Sequence, residues 1–311
     1  MFTALTQPDM IMLKQRYKLI EYKFRALRSL FVSDEKYRRM KYRKIFNQEL
    51  NLSPPLTLNE KVNYRMIFNR DFFLTIIADK IAVRDYVEMM VGDKYLVPLL
   101  AVFDRINLHN FEKLPDSFVI KCNHDSGSSI ICHDKNKIDK RELVSHFNRR
   151  LRMNPYYTNR EWQYKNIQPK ILVERKLNVF EGKNQDITPE MFRVHCFHKK
   201  PMYIEADFTC VNGREYVNIY DTDWVLQPFT LGYGNTPYNI DRPPSLVNIV
   251  DIAAKLASDL DYCRVDLMVE NERVYFSEIT LTPESGQLKF RPAEWDLRLG
   301  SLWDMTVMRV D

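Results

Sequence analysis

Two acids stand out of place in the stretch Arg264 to Gly286, which reads RVDLMVENERVYFSEITLTPESG. Hydrophobic segments Tyr262 to Val269 and Arg273 to Ile279 flank the polar turn Glu270-Asn271-Glu272, the pattern of a β-hairpin. Side chains on a strand alternate between faces, and each segment carries one carboxylate, Asp266 or Glu278, where an apolar or neutral residue belongs. They lie 12 residues apart, so a hairpin folded at Asn271 sets them at about the same level of the ladder. Carboxylates held that close repel unless a cation lies between them. Oxygen donors with no Cys or His nearby favour a hard ion, Mg²⁺ or Mn²⁺, over zinc. Arg264 and Thr280 extend the polar set in the same register. A pair of surface acids on an exposed sheet face is the plainer alternative.

A second constellation runs from Ser117 to Ile131. Phe118-Val119-Ile120 reads as a short buried strand, Lys121 follows it, and Asn123 to Ser129 forms a loop of small polar residues before Ile130-Ile131-Cys132 resumes strand. In such a loop, Ser126, Gly127, Ser128 and Ser129 let backbone N–H groups approach a phosphate while Lys121 supplies charge. The GxxxxGK[ST] order of a Walker loop is absent, and Gly and Ser are also the ordinary residues of β-turns. Phosphate and Mg²⁺ sites occur together, so the loop gains weight from Asp266 and Glu278. The run Lys170 to Leu177 turns abruptly polar at Glu174, which can hold a purine edge and ribose or simply meet water. Lys80, beside Asp79 at a helix start, says little alone.

Positioning these groups takes alternating helices and strands. Residues 1 to about 50 read as helical and basic, and Leu52-Ser53-Pro54-Pro55 interrupts them. Thr57 then caps a helix, with Glu60 completing a capping box. Another helix opens at Asp79-Lys80 with Ile81, Val83, Tyr86 and Val87 inward, and a further one covers Asp139 to Leu151. Asn154 to Tyr164 looks too irregular for a regular element. Strands follow at Phe192 to Phe197, with Arg193 and His195 on one side, at Pro201 to Thr209 after the turn His198-Lys199-Lys200, and at Tyr216 to Tyr220. His195 and His198 lack partner ligands nearby and read as strand residues or solvated neighbours. A long loop spans Leu231 to Pro244, Ser245 to Leu260 is an amphipathic helix, and Trp295 to Trp303 docks on the body.

At 311 residues there is room for two or three lobes, each with its own core. The 45% hydrophobic and 28% charged residues are an ordinary soluble composition. The five cysteines, Cys122, Cys132, Cys196, Cys210 and Cys263, form no CxxC pair and fit a reducing cytoplasm. No signal-peptide core and no apolar run near the ~20 residues of a membrane helix occur, so a cytoplasmic protein is expected. Net charge is only +5, but between Lys14 and Lys44 twelve Lys or Arg face three acids, with Tyr17, Tyr22, Phe24, Leu27 and Leu30 interleaved. Such a basic amphipathic arm can lie on anionic lipid, or be a solvated helix face. No nucleic-acid module accompanies it, so no nucleic-acid partner is expected.

In this order the parts resemble the ATP-grasp superfamily and, within it, the TupA-like group found in bacterial surface-polysaccharide loci. The likeness is carried by LNEKVNYRMIFNRD, ADKIAVRDYV, FVIKCNHDSGSS, REWQYKNIQPKILVERKL, NIYDTDW and RVDLMVENERVYFSEITLTPESG, from about Leu56 to Trp303. It implies an α+β ATP-grasp fold, the nucleotide held between two β-containing lobes, with a helical basic N-terminal region. It divides the chain into residues 1–78 with substrate contacts, a lid at 79–172 and a catalytic subdomain at 173–311.

By position, the resemblance implies that Lys80 and Lys121 contact ATP phosphates, that Ser126 to Ser129 close over them, and that Glu174 and the backbone near Leu177 hold adenine. Glu181 or Asp186 would meet the ribose. Asp266, Glu278 and Thr280 would bind Mg²⁺ or Mn²⁺, Thr280 standing where many relatives have asparagine. Arg264 would steady the transferred phosphoryl group, and Arg193 takes the place of a basic residue near the phosphates or acyl group. The implied activity is an ATP-dependent carboxylate–amine ligase working through an acyl phosphate. Its substrates would be an amino acid or other amine and a uronic acid of a capsule, O-antigen or teichuronic-type polysaccharide, free or lipid-linked. The basic arm would then touch the inner face of the membrane. A sugar or polymer kinase, a glycosyltransferase and a non-catalytic polysaccharide-binding protein are the alternatives.

Overall fold

The computed structural model describes residues 19–211 and 214–305, with the backbone alone at residues 210 and 211. The basic arm before residue 19 and the Cys210 side chain therefore lie outside the described residues. Among the described residues, no helix is long and apolar enough to cross a membrane.

Two antiparallel sheets dominate. The smaller contains β1 (Leu99–Phe103), β2 (Phe118–Cys122), β3 (Ile130–Cys132) and β4 (Ile171–Glu174) in the order β1-β4-β2-β3. Alternation turns Phe118, Ile120, Cys122, Ile171 and Val173 to one face, where Leu143 and Phe147 of helix Lys140–Arg150 cover them. Asp139 starts that helix by accepting hydrogen bonds from the Arg141 and Glu142 amides.

The larger sheet contains β5 (Met191–Phe197), β6 (Lys200–Val211) and β7 (Arg214–Asp221). A short β8 (Thr230–Leu231) precedes β9 (Tyr262–Glu270) and β10 (Arg273–Thr280), and β8 pairs with β11 (Phe290–Arg291). The large-sheet order is β10-β9-β5-β6-β7. One face presents Val194, Cys196, Ile204, Ala206, Val265 and Leu267 to helix Leu246–Leu256, whose Ile249, Ile252, Ala253 and Leu256 recur at helical spacing and are buried. The β9–β10 hairpin turns at Asn271 and Glu272, both left-handed with φ of 49° and 64°, a two-residue turn matched to strand twist.

On the opposite face, helices Leu58–Phe68 and Glu294–Ser301 cover Phe197, Ile219 and Tyr262 with Leu58, Val62, Met66, Trp295, Leu299 and Trp303. The Thr57–Glu60 capping box is present as the sequence reads. Gly300 lets the two helices meet closely, since any Cβ there would overlap the Leu56 carbonyl and the Leu58 amide. Trp303 is fully buried, and its Nε1 donates to Asp261 Oδ2 at 2.8 Å while the Arg65 guanidinium lies 4.2 Å from its ring. Arg65 also pairs with Asp261 and donates to the carbonyls of Tyr262 and Leu281, tying this helix to both ends of the hairpin.

Four expectations need correction. The basic arm is broken at residues 29–33, and Ser33 caps a new helix, Asp34–Phe46. The helix after Asp79 starts at Val83, because the Asp79 carboxylate first accepts from the Ile81 and Ala82 amides. Asn154 to Tyr164 contains a one-turn helix, Tyr156–Asn159, too short to show periodicity. The helix expected over Ser245 to Leu260 ends at Leu256, whereas His195 is a strand residue as one of the two readings had it, buried and partnered. The cores also cut across the expected divisions. Helices Phe72–Ala78 and Val83–Val91 pack into the large-sheet core, and β4 belongs wholly to the small sheet through Glu174.

Candidate functional site

Stepping two residues at a time along β5 and β9, one face changes character. Phe197 opposite Tyr262 is apolar, His195 opposite Arg264 is mixed, and Arg193 opposite Asp266 is fully charged. The pairing extends sideways, so that Glu278, Asp266, Arg193 and Glu205 form one row across four strands. Thr280, Arg264, His195 and Tyr203 form the next. The two acids of the hairpin are therefore direct cross-strand partners.

Their repulsion is relieved by side chains. Arg264 donates to both Asp266 oxygens at 2.8 and 2.7 Å, and Lys80 Nζ lies 3.2 Å from Glu278 Oε2. Burial is the strongest influence on Glu278 and pushes it up, but Lys80, Arg264 and Lys121 together outweigh it and hold its pKa down at about 2. At Asp266 burial wins over Arg264 and the pKa is raised. Burial works against the Arg264 guanidinium, but Asp266 and Glu205 push its pKa further up, so it stays charged.

Glu205 is buried and its carboxyl lies well below the usual range. Burial opposes that shift, and Arg264, the His195 hydrogen bond and Arg193 overcome it. His195 Nε2 sits 2.6 Å from Glu205 Oε1 and its Nδ1 lies 3.0 Å from the Tyr262 hydroxyl, so the imidazole ties Glu205 of the first row to the aromatic end of the face. Arg193 contacts Glu205 at 3.4 Å and also Asp207.

From the small sheet, Lys121 reaches Glu174 at 2.7 Å, and Arg84 reaches the other Glu174 oxygen at 3.1 Å. The loop after β2 is drawn tight. Ser128 is buried, accepts from the Cys122 amide at 2.8 Å and donates to Asp125, which Arg150 also holds at 2.7 Å. Ser126, Gly127 and Ser129 stay exposed, with Gly127 at a φ of 73°. Lys80 Nζ donates to the Asp125 carbonyl at 2.7 Å, so one ammonium touches the small-sheet loop and the large-sheet acid together.

A cavity of about 580 Å³ separates Ile131 and His133 of the small lobe from Glu190 and Thr209 of the large, with Leu177 and Glu181 on its wall. Asp186 is not among the residues lining it, and its amide instead caps back onto Asn184. The structure thus brings together Lys80, Lys121, Glu174, Arg193, Arg264, Asp266, Glu278 and Thr280, and leaves Asp186 aside.

Sequence reading missed Arg84, Asp125, Glu190 and Glu205. Glu205 carried the same signal as Asp266, an acid between the apolar Ile204 and Ala206.

A hard cation could be held by Asp266 and Glu278 together with the Thr280 hydroxyl, which lies 3.4 Å from Glu278 Oε1. Two carboxylates and a hydroxyl form an all-oxygen set suited to Mg²⁺ or Mn²⁺ shared with phosphate oxygens. Among the described residues no group of three or more His, Cys, Asp or Glu makes a self-sufficient metal cage.

A model of the TupA-like ATPgrasp family matches residues 60–304. No curated protein matches. Among solved structures, a D-alanine–D-alanine ligase from Bacillus anthracis complexed with ATP is 16% identical over 67% of this chain and 55% of that one, with a TM-score of 0.37. An L-amino acid ligase from Bacillus licheniformis is 12% identical over 79% and 54%, with a TM-score of 0.42. A phosphoribosylamine–glycine ligase from Thermotoga maritima is 10% identical over 72% and 55%, with a TM-score of 0.41. The chain spans little more than half the length of each.

Proposed function

The chain belongs to the TupA-like ATP-grasp family and has its α+β fold, and from that premise we propose that it is an ATP-dependent carboxylate–amine ligase. One observation carries the reading. The Lys80 ammonium meets Glu278 on the large sheet and the Asp125 carbonyl on the small-sheet loop, so one cation joins groups of both sheets at a single point.

In the proposed reaction a substrate carboxylate oxygen attacks the γ-phosphorus of ATP and ADP leaves. An amine then attacks the acyl carbon, phosphate departs, and the amine proton passes to solvent. Carboxylate oxygen is a poor leaving group and phosphate a good one, which is the reason for the first step. Asp266, Glu278 and Thr280 would hold Mg²⁺ or Mn²⁺, which supplies charge neutralisation at the triphosphate when bound. Lys80 and Lys121 are assigned to phosphate oxygens, with the exposed amides of Ser126, Gly127 and Ser129 beside them. Arg264 and Arg193 are assigned to the charge that builds on the transferred group, where pre-set donors do most of the work.

The cavity at Leu177 is the reading's adenine and ribose site, with Glu181 or Glu190 rather than Asp186 on the ribose. As lobes, the reading takes residues 99–174 as the lid and the large sheet as the catalytic body. The substrates are an amino acid or other amine and a uronic acid of a bacterial surface polysaccharide. That half rests on the resemblance to the group of surface-polysaccharide loci. A lipid-linked acceptor would bring the protein to the inner face of the membrane.

Incubation with Mg-ATP, a uronic acid and mixed amino acids should yield ADP and a product with an amide mass. ADP with a stable phosphorylated sugar and no amide would mean a kinase. Nucleotide-sugar turnover without ATP would mean a glycosyltransferase.

A further inference from the structure

Two further cavities touch the helix of residues 19–28, the first along Glu21, Phe24, Arg25 and Arg28 and the second at Leu19. The first, about 790 Å³, is lined by Arg25, Arg28, Lys41 and Lys44, and its one acid, Glu21, is already paired with Arg25. The second, about 630 Å³, lies on the small-lobe side of the same helix. Among the described residues it is lined by Arg105, Arg141, Arg149 and Arg152 and by no carboxylate. The two linings together hold eight cations and one acid, with Glu142 acting on Arg149 and Glu161 on Lys41 from outside them. Burial first and then the charge of Arg38 push Lys41 down to about 8, with a smaller push from Arg25 and against the pull of Glu161.

The same helix carries exposed apolar side chains, of which Phe24 also lines the first cavity. Ile20, Phe24 and Leu27, spaced i, i+4, i+7, are 52%, 68% and 55% exposed, and Leu30 and Phe31 in the following turn are 75% and 80% exposed. Elsewhere among the described residues the exposed apolar side chains form smaller groups, such as Leu99, Leu100 and Val102 on β1 and Val225 with Leu226. Here they are contiguous, and an exposed contiguous apolar face marks a binding surface. A soluble polyanion would satisfy the cations and leave the apolar side chains in water. A bilayer with anionic headgroups satisfies both, taking the apolar side chains into its acyl boundary and its headgroups against the flanking Lys and Arg.

We propose that the helix of residues 19–28 and the arginine face of the small lobe form one composite surface that docks the protein on an anionic membrane. The proposal deepens the peripheral-membrane part of the reading above and is independent of its ligase chemistry. Half of the cations come from Arg105 onward, so the membrane contact is not confined to the N-terminal arm.

The test is co-sedimentation of the full chain, without nucleotide, with vesicles of phosphatidylcholine alone or mixed equally with phosphatidylglycerol. Binding to the mixed vesicles only, weakening as salt is raised, is expected. Arg105→Glu with Arg141→Glu should lower that binding by at least about tenfold, each basic residue near such a surface contributing roughly fivefold. Phe24→Ser with Leu27→Ser should also release the protein, with an unchanged melting temperature in both variants. No vesicle binding by the full chain overturns the proposal, and so does binding indifferent to the Arg105/Arg141 pair. Binding of soluble polygalacturonate in place of vesicles, unaffected by the Phe24/Leu27 pair, overturns it in favour of a polymer. A concentration-dependent dimer abolished by the Phe24/Leu27 pair, with no vesicle binding, overturns it in favour of self-association.

Discussion

The second face of the large sheet holds two regions built on the same strands and only a few residues apart. At Phe197 and Tyr262 it buries stacked rings, with Trp303 4.8 Å from Tyr262 between ring centres. At Arg193, Asp266 and Glu278 it holds ions. Taking an ion from water into a protein costs several kcal/mol even after relaxation, whereas an aromatic ring gains by the same transfer. The aromatic end therefore stabilises the sheet, and the ionic end is carried by it for what the ions can bind.

That contrast can be broken or sharpened by substitution. Trp303→Ala should cost ~3–5 kcal/mol of stability, read by denaturant unfolding, because it leaves a large cavity and strips Asp261 of a donor. Turnover per folded molecule should be nearly unchanged, and a proportionate loss of turnover without loss of stability would erase the distinction. Glu278→Gln should do the reverse. ADP formation should fall by ~10²–10³, as on removal of one pre-set charge contact, with a smaller loss of melting temperature at neutral pH than Trp303→Ala causes, since Lys80 keeps the Asp125 carbonyl.

The smallest effect concerns acid. Glu278 has a folded pKa of about 2, below its ordinary 4.5, so its stabilising contribution is complete above the ordinary value and is lost as pH falls toward 2. Melting temperatures measured across that window should fall less steeply in Glu278→Gln than in the parent protein. Parallel curves would show that Lys80 and Arg264 do not hold the carboxylate.

How much of this was readable beforehand follows from the range of each signal. Asp266 and Glu278 were legible because alternation is a local rule and each acid breaks it within its own strand. Glu205 breaks the same rule, but its meaning depends on β6 lying beside β5, and no local pattern declares that Arg193 is its partner. Lys80 had no signal of its own, since the Asp125 carbonyl it meets is 45 residues away. Asp186 and Glu190 sit in a stretch with no periodicity, where turns such as that at Gly182, φ 67°, decide which acid faces the cavity. The capping box at Thr57 was legible in full, and the helix Leu246–Leu256 in its buried stripe though not in its end, being set by neighbours within a turn or two.

Because the Lys80 side chain is shared, the two lobes cannot exchange counter-ions independently. Any newcomer with positive charge that settles on Glu278 competes with an ammonium still tethered to the loop beyond β2. A cation settling on Glu278 would leave that ammonium with the Asp125 carbonyl as its remaining partner of the two.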